Sequence, residues 1–365
     1  KASVSPWNNE HLLAMVALHG NDVNAAEMEG SNLVFLIDVS GSMQSYNKLP
    51  LVKKGMNMLI DNLNSGDTVS IVTYASGTRV VLESTPVSQK DKIKAALNSL
   101  TSGGGTSGYG GLNLAYAEAQ KSMKANNRII ICSDGDFNIG PSSTADLESL
   151  VTEKRSLGIY LSVLGFGMGN YKDTKMETLA DKGNGSYAYI DSLKEAKKVF
   201  SDELTRTLYT IAEDAKIQVE FNPDTVDSYR LIGYENRVMA NESFADDTKD
   251  AGEINAASDV VAFFEIIPKG SESGGDDLRY QTVTGKGSDE LMFVKIRYKN
   301  PGENESILFE KPVLYEIGQS TSDNFRFAAA CAELGMLLNE SEYMGTSSYD
   351  SVISLARSAK GEDET

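Results

Sequence analysis

Apolar and polar positions follow two rhythms along this chain. Between residues 33 and about 190 the apolar residues come in short unbroken runs: "LVFLI" at 33–37, "TVSIVTY" at 68–74, "RIIICS" at 128–133 and "IYLSVLGFG" at 159–167. Such runs, rich in Ile and Val and bounded by turn residues, suit strands buried on both faces of a parallel sheet. Helical patterns lie between them. "KLPLVKKGMNMLIDNL" puts Leu49, Val52, Met56, Leu59 and Leu63 on one face, and "GLNLAYAEAQKSM" does the same with Leu112, Ala115, Tyr116, Ala119 and Met123. "STADLESLVTEKRSLG" starts with Ser and Thr as caps and stops at Gly158, and "SLKEAKKVFSDELTRTL" follows the strand "GSYAYI". This alternation predicts an α/β domain with helices on both faces of its sheet. "TRVVLESTP" follows "TVSIVTY" after a Ser-Gly turn, which predicts a hairpin with one antiparallel edge strand.

Past residue 212 the rhythm changes. "AKIQVEF", "VDSYRLIGY", "DVVAFFEII", "LMFVKIRYK" and "SILFEKPV" alternate apolar and polar residues with no helix between them, the pattern of an antiparallel β domain. "HLLAMVALHG" at 11–20 shares that alternation and is expected to pair with those strands. "DNFRFAAACAELGMLLNES" and "SYDSVISLARSAK" predict two C-terminal helices. The chain divides into an N-terminal segment 1–30, an α/β domain 31–210, a β domain 211–322 and helices 323–365.

Composition sharpens that division. At 365 residues the chain is long enough for about two domains. Residues 31–210 carry 19 Lys and Arg against 18 Asp and Glu, whereas the rest carries 15 against 34. The net charge of −18 argues against a nucleic-acid partner, which needs basic clusters. The only cysteines, Cys132 and Cys331, are far apart and read as unpaired thiols. Two histidines, His11 and His19, give poor support to a histidine zinc site or a Ser-His-Asp triad. No run of about eighteen apolar residues is present, so no transmembrane segment is expected. The first residue is Lys1 rather than Met, which suggests that an upstream segment was removed.

The candidate chemistry sits after the apolar runs. In an open parallel sheet, ligands bind outside the carboxyl ends of the strands. Asp38, Ser40 and Ser42 follow the first run in "DVSGSM"; Thr106 lies in "TSGGGTSGYGG"; Asp134 follows "RIIICS". Two carboxylates and three hydroxyls form an all-oxygen set suited to a hard, octahedral cation, Mg²⁺ above all, with Ca²⁺ or Mn²⁺ as alternatives. A phosphatase-type Asp nucleophile is the chemical rival, but such a site wants a second Asp where Ser40 stands. The Gly-rich loop lacks the G-K-[ST] of a phosphate cradle. "GFGMGN" has Asn170 in place of the third Gly of a dinucleotide fingerprint, and reads as a tight strand-to-helix turn near the same crevice. Neither a His, a Lys nor another base is evident beside the five donors. Asp136 reads as solvated.

"DVSGSM", "GGGTSGYGGL" and "ICSDGDFN" together resemble the three parts of the metal-ion-dependent adhesion site of von Willebrand factor A domains, over about residues 31–206. The resemblance implies a doubly wound, mostly parallel six-stranded sheet in the order 3-2-1-4-5-6, with strand 3 antiparallel. It implies that Ser40, Ser42 and Thr106 contact the ion or its water, that Asp38 and Asp134 act directly or through water, and that an Asp or Glu of a protein ligand completes the sphere. "SPWNNEHLLAMVALHG", "GFGMGNYKDTKMETLADKGNGSYAYID", "GYENRVMANESFADDTKDAGEI" and "FAAACAELGMLLNESEY" resemble segments of a bacterial group of predicted lipoproteins with a β-rich extension. That resemblance implies an extracytoplasmic, cell-envelope location with a lipid anchor outside this sequence.

The leading expectation is a non-enzymatic binding module in which Mg²⁺ clamps an acidic residue of a protein partner. A metal-assisted phosphoester hydrolase and a structural envelope protein with an unused site are the alternatives. The acidic flank raises a further expectation: Asp246, Asp247 or Asp250 could fill the open position of the metal.

Overall fold

The chain opens with two strands, β1 (Ala2–Ser5) and β2 (Asn8–His19), then enters the strand–helix alternation. The computed structural model describes residues 1–21, 30–135, 144–167, 173–203, 209–234, 238–249, 251–271, 288–316 and 321–361. These form two compact units: residues 21–211 with 255–258, and residues 1–20, 212–254 and 259–365.

The first unit is built on β3 (Ser31–Asp38), α1 (Leu49–Asn62), β4 (Thr68–Tyr74), β5 (Thr78–Pro86), α2 (Lys90–Asn98), α3 (Gly108–Lys121), β6 (Asn126–Ser133), α4 (Thr144–Ser156), β7 (Ile159–Phe166), α5 (Asp173–Lys182), β8 (Tyr187–Ile190) and α6 (Leu193–Lys197). Its six-stranded sheet has the order β5-β4-β3-β6-β7-β8. Only β5 runs antiparallel, paired with β4. This is the 3-2-1-4-5-6 order expected.

The unbroken apolar runs have a simple cause. All eight residues of β3 are buried. Leu33, Phe35 and Ile37 point to one core, with Val52, Met56 and Leu59 of α1, Ile93 and Leu97 of α2, and Ala196 of α6. Val34 and Leu36 point to the other, with Leu112, Ala115 and Tyr116 of α3, Leu147 and Val151 of α4, and Leu179 of α5. Successive strand residues face opposite sides, so a strand covered on both must be apolar throughout. Each fully buried aliphatic side chain here contributes about 1.5–3 kcal/mol. Gly111 lets α3 lie against the sheet: a Cβ there would sit 2.9 Å from Cβ of Tyr74 and 3.1 Å from Leu36.

The second unit contains β9 (Thr210–Phe221), β10 (Val226–Ile232), β11 (Gly252–Asn255), β12 (Asp259–Pro268), β13 (Glu290–Lys299), β14 (Ile307–Leu314), α7 (Asp323–Leu338) and α8 (Tyr349–Arg357). Two four-stranded sheets, β1-β2-β12-β10 and β11-β9-β13-β14, share a core of Leu12, Ala14, Val16, Ile266, Leu291, Met292 and Val294. The N-terminal strand β2 pairs antiparallel with β12, Leu13 opposite Glu265. Its outer face, with Trp7, Leu13 and Phe263, is covered by Phe325 and Ala329 of α7. The Ser322 side chain caps α7 by accepting from the Phe325 N–H, and Ser348 and Ser351 form a capping box on α8. Caps of this kind contribute about 1 kcal/mol each. Among the described residues no helix is long and apolar enough to cross a membrane.

Several elements exceed what the sequence pattern predicted: α2, β1 and the short β11. Two details also differ. Met123 lies beyond the end of α3 and is exposed, and the turn after α6 is π-helical over Lys198–Glu203.

Candidate metal centre

β3 and β6 are parallel neighbours, with Ile37 opposite Cys132. Both carboxyl ends therefore open on the same crevice, where the chain leaves β3 toward β4 on one side of the sheet and reaches β6 on the other. This is the switch point at which ligands bind in open α/β sheets.

Asp38, the last residue of β3, is fully buried. Its Oδ1 accepts the Ser40 N–H at 2.8 Å, a local turn that folds the chain back over the carboxylate. Its Oδ2 lies 3.5 Å from the Ser133 hydroxyl. The Ser40 and Ser42 hydroxyls are 3.0 Å apart; Ser40 is buried and Ser42 is exposed. The Gly-rich loop is tied to this turn by main-chain bonds, Gly41 N–H to Gly104 O at 3.0 Å and Gly103 N–H to Val39 O at 2.8 Å. A third bond, from Gly105 N–H to Ser76 Oγ at 2.7 Å, holds the loop from the far side. Thr106 stands on that loop, half-buried. Asp134 follows β6 directly, and its side chain is only 4% exposed. Asp136 and Asn170 lie outside the described residues, as does Asp250.

The electrostatics fit a cation. Burial pushes the Asp38 carboxyl up from 3.8 to about 6, and the nearby Asp134 charge adds to the rise; hydrogen bonds from Ser40 and Tyr74 oppose it. A buried carboxylate with a second carboxylate beside it calls for positive charge nearby. Among the described residues, no group of three or more His, Cys, Asp and Glu is placed to hold a metal. A cation held here would have to draw on the hydroxyls as well, and an all-oxygen donor set of this kind suits a hard divalent ion.

One expectation is corrected. The sequence showed no Lys beside the donors, yet Lys48 Nζ donates to Asp134 Oδ2 at 2.7 Å. The two residues are far apart in sequence, and only the parallel pairing of β3 with β6 brings the start of α1 to the end of β6. Sequence reasoning also missed Ser133 and Tyr74, which sit on neighbouring strands and touch Asp38 through the fold rather than through a motif.

The acidic candidates of the second unit are engaged locally. Asp247 accepts from Arg297 at 3.2 Å and also from Ser306. Asp246 accepts from the Thr248 N–H and hydroxyl. Cys132 is buried and Cys331 exposed, and both are free thiols.

Residues 32–202, which contain the six-stranded sheet and the crevice, match the family described as the von Willebrand factor type A domain. The remainder is similar to a narrower group: residues 206–365 match the family described as the C-terminal region of the uncharacterized protein YfbK. The chain is 41% identical to the uncharacterized protein YfbK of Escherichia coli (strain K12), over 98% of this chain and 63% of that protein. It is 28% identical to the uncharacterized protein sll0103 of Synechocystis, over 53% of this chain and 45% of that protein. The chain thus spans less than two thirds of either relative. A solved von Willebrand factor type A structure from Catenulispora acidiphila is similar in fold, with a TM-score of 0.51 and 16% identity over 96% of this chain and 87% of the other.

Proposed function

We propose that this chain is a non-enzymatic, divalent-metal-dependent protein-binding module of the bacterial cell envelope, in which Asp38, Ser40, Ser42, Thr106 and Asp134 hold Mg²⁺. The observation that carries this reading is the meeting of the Asp38 and Asp134 carboxylates and a hydroxyl pair at the ends of the parallel strands β3 and β6. When bound, the ion supplies an electrophilic position for one carboxylate oxygen of a partner's Asp or Glu. The neutral hydroxyls add no charge that would quench that position. Exposed Ser42 and half-buried Thr106 leave the crevice reachable from solvent. Ca²⁺ or Mn²⁺ would find the same donors. The envelope location and a lipid anchor outside this sequence follow the resemblance to the bacterial lipoprotein group and belong to the same proposal.

Two features favour binding over hydrolysis. Neither histidine belongs to the unit that carries the site. Lys48 Nζ is engaged by the Asp134 carboxylate at 2.7 Å and so is not placed to serve a substrate.

The first test is thermal. Mg²⁺ at a hundredfold above its Kd should stabilise the unit by about 2.7 kcal/mol, and EDTA should reverse the effect. The second is capture: immobilised protein should retain a partner from bacterial envelope extract in Mg²⁺, release it in EDTA, and lose it in Thr106→Ala. An unchanged melting curve in millimolar Mg²⁺ sinks the metal assignment. A shifted curve with capture indifferent to EDTA sinks the adhesion assignment.

A further inference from the structure

The backbone of Lys48 is held in place from several directions. It precedes α1, its N–H donates to Ser45 O at 3.0 Å, and its carbonyl accepts from the N–H groups of Leu51 at 2.8 Å and Val52 at 2.9 Å. From that root the side chain runs across the end of β7. Gly167 leaves the passage open: its φ is +107°, and a Cβ there would lie 2.8 Å from Cε and 3.3 Å from Cγ of Lys48. This gives the "GFG" turn a use that no dinucleotide explains. The ammonium then reaches Asp134 Oδ2 at 2.7 Å, with the lysine side chain 20% exposed and the carboxylate 4%.

A surface lysine gains little from an ion pair, because ordering its long side chain offsets most of the attraction. Lys48 differs on three counts. Its stem is packed, its root is fixed by the helix start, and its target is a nearly buried carboxylate beside a second one, Asp38. The two carboxylates carry −2, and Lys48 reduces this to −1 before any metal arrives.

We propose that Lys48 is the site's own cation: it neutralises Asp134 in the metal-free protein and competes with a divalent ion for that carboxylate. Lys48 has to release Oδ2, or share Asp134 with a second positive charge, whenever the site is loaded. The site therefore stays ordered without metal and holds metal less tightly than its oxygen donors alone would. This deepens the metal reading above and rests on it.

Calorimetric titration of Mg²⁺ into wild type and Lys48→Met separates the two. Lys48→Met keeps a long apolar stem over Gly167 and should bind Mg²⁺ about tenfold more tightly, the worth of one charge-assisted hydrogen bond. Lys48→Gln, uncharged but still a donor, should move in the same direction. In EDTA, Lys48→Met should melt below wild type, and adding Asp134→Asn should recover the loss. A merely structural stem would show no such rescue. Equal or weaker Mg²⁺ binding by both lysine variants would overturn the competition while leaving the metal site intact. Failure of all three proteins to bind Mg²⁺ would overturn the metal reading and the competition with it. Binding by the lysine variants but not by wild type would uphold Lys48 as the occupant. A loss in EDTA that Asp134→Asn does not recover would overturn the neutralising role.

Discussion

Asp38→Asn is expected to stabilise the metal-free protein and to abolish its response to Mg²⁺. The carboxyl is fully buried and titrates at about 6 instead of 3.8. A carboxyl raised on folding favours the folded state only while it is protonated. That contribution is complete below about 3.8 and is lost as pH rises through about 6. At neutral pH the folded chain therefore carries an unfavourable charge, worth roughly 3 kcal/mol at most. Asn keeps the shape and can still accept the Ser40 N–H, and the neighbouring hydroxyls can reorient toward its amide. The expected gain is several degrees in the transition of the unit that carries the site. Melting both proteins in EDTA from pH 4 to 8 checks this. The wild type should lose stability relative to Asp38→Asn across the window between about 4 and 6. Parallel curves would show that Asp38 does not store this cost. In Mg²⁺ the order should reverse, because only the wild type offers the ion both carboxylates, whereas Asp38→Asn leaves Asp134 alone and shared with Lys48. A site that is destabilising until loaded is the usual exchange of stability for function.

How far the sequence reveals this arrangement depends on which interactions are local. β3, β4, β6 and β7 are legible because both faces of each are covered, and burial on both faces demands an unbroken apolar run. α2 is not, because Ile93 and Leu97 are its only buried residues within a nine-residue helix. β1 has four residues and no pattern to detect. Edge strand β14 is legible from its alternation although most of its residues are exposed. Asp38 ends β3 and Asp134 follows β6, so parallel topology alone places them near each other, whereas Thr106 lies between α2 and α3 and is brought in by the main-chain bonds of its loop. Lys48 follows no strand end. Its role depends on a turn, a helix start and the gap left by Gly167, which are tertiary facts. The same holds for the Ser133 hydroxyl and for Tyr74, whose place beside Asp38 is set by strand pairing.

The largest loss of stability is expected in the second unit, at Glu265. This residue lies on β12 and is only 4% exposed. One carboxylate oxygen accepts from Trp7 Nε1 at 3.0 Å and is 2.8 Å from His11 Nδ1. The other accepts from Arg230 Nε at 2.8 Å and from the same guanidinium's Nη2. Arg230 is further held over the ring of Tyr343, 4.4 Å from its centroid. The only Trp and one of the two His are thus engaged by a single carboxylate. Trp7 is core, as its apolar body suggests, but its N–H also needs an acceptor. Removing Glu265 leaves a guanidinium without the oxygen that accepts two of its N–H groups and an indole N–H without its acceptor, inside a packed face. Breaking a buried pair from one side typically costs about 3–5 kcal/mol. Glu265→Ala should therefore lower the urea midpoint of this unit sharply. Glu265→Gln, which keeps one acceptor oxygen, should lose less. Arg230→Met in the Glu265→Ala background should cost little more, since the stranded cation is then gone. Additive losses in that double-mutant cycle would show that the residues act separately, and would refute the network as the source of the stability.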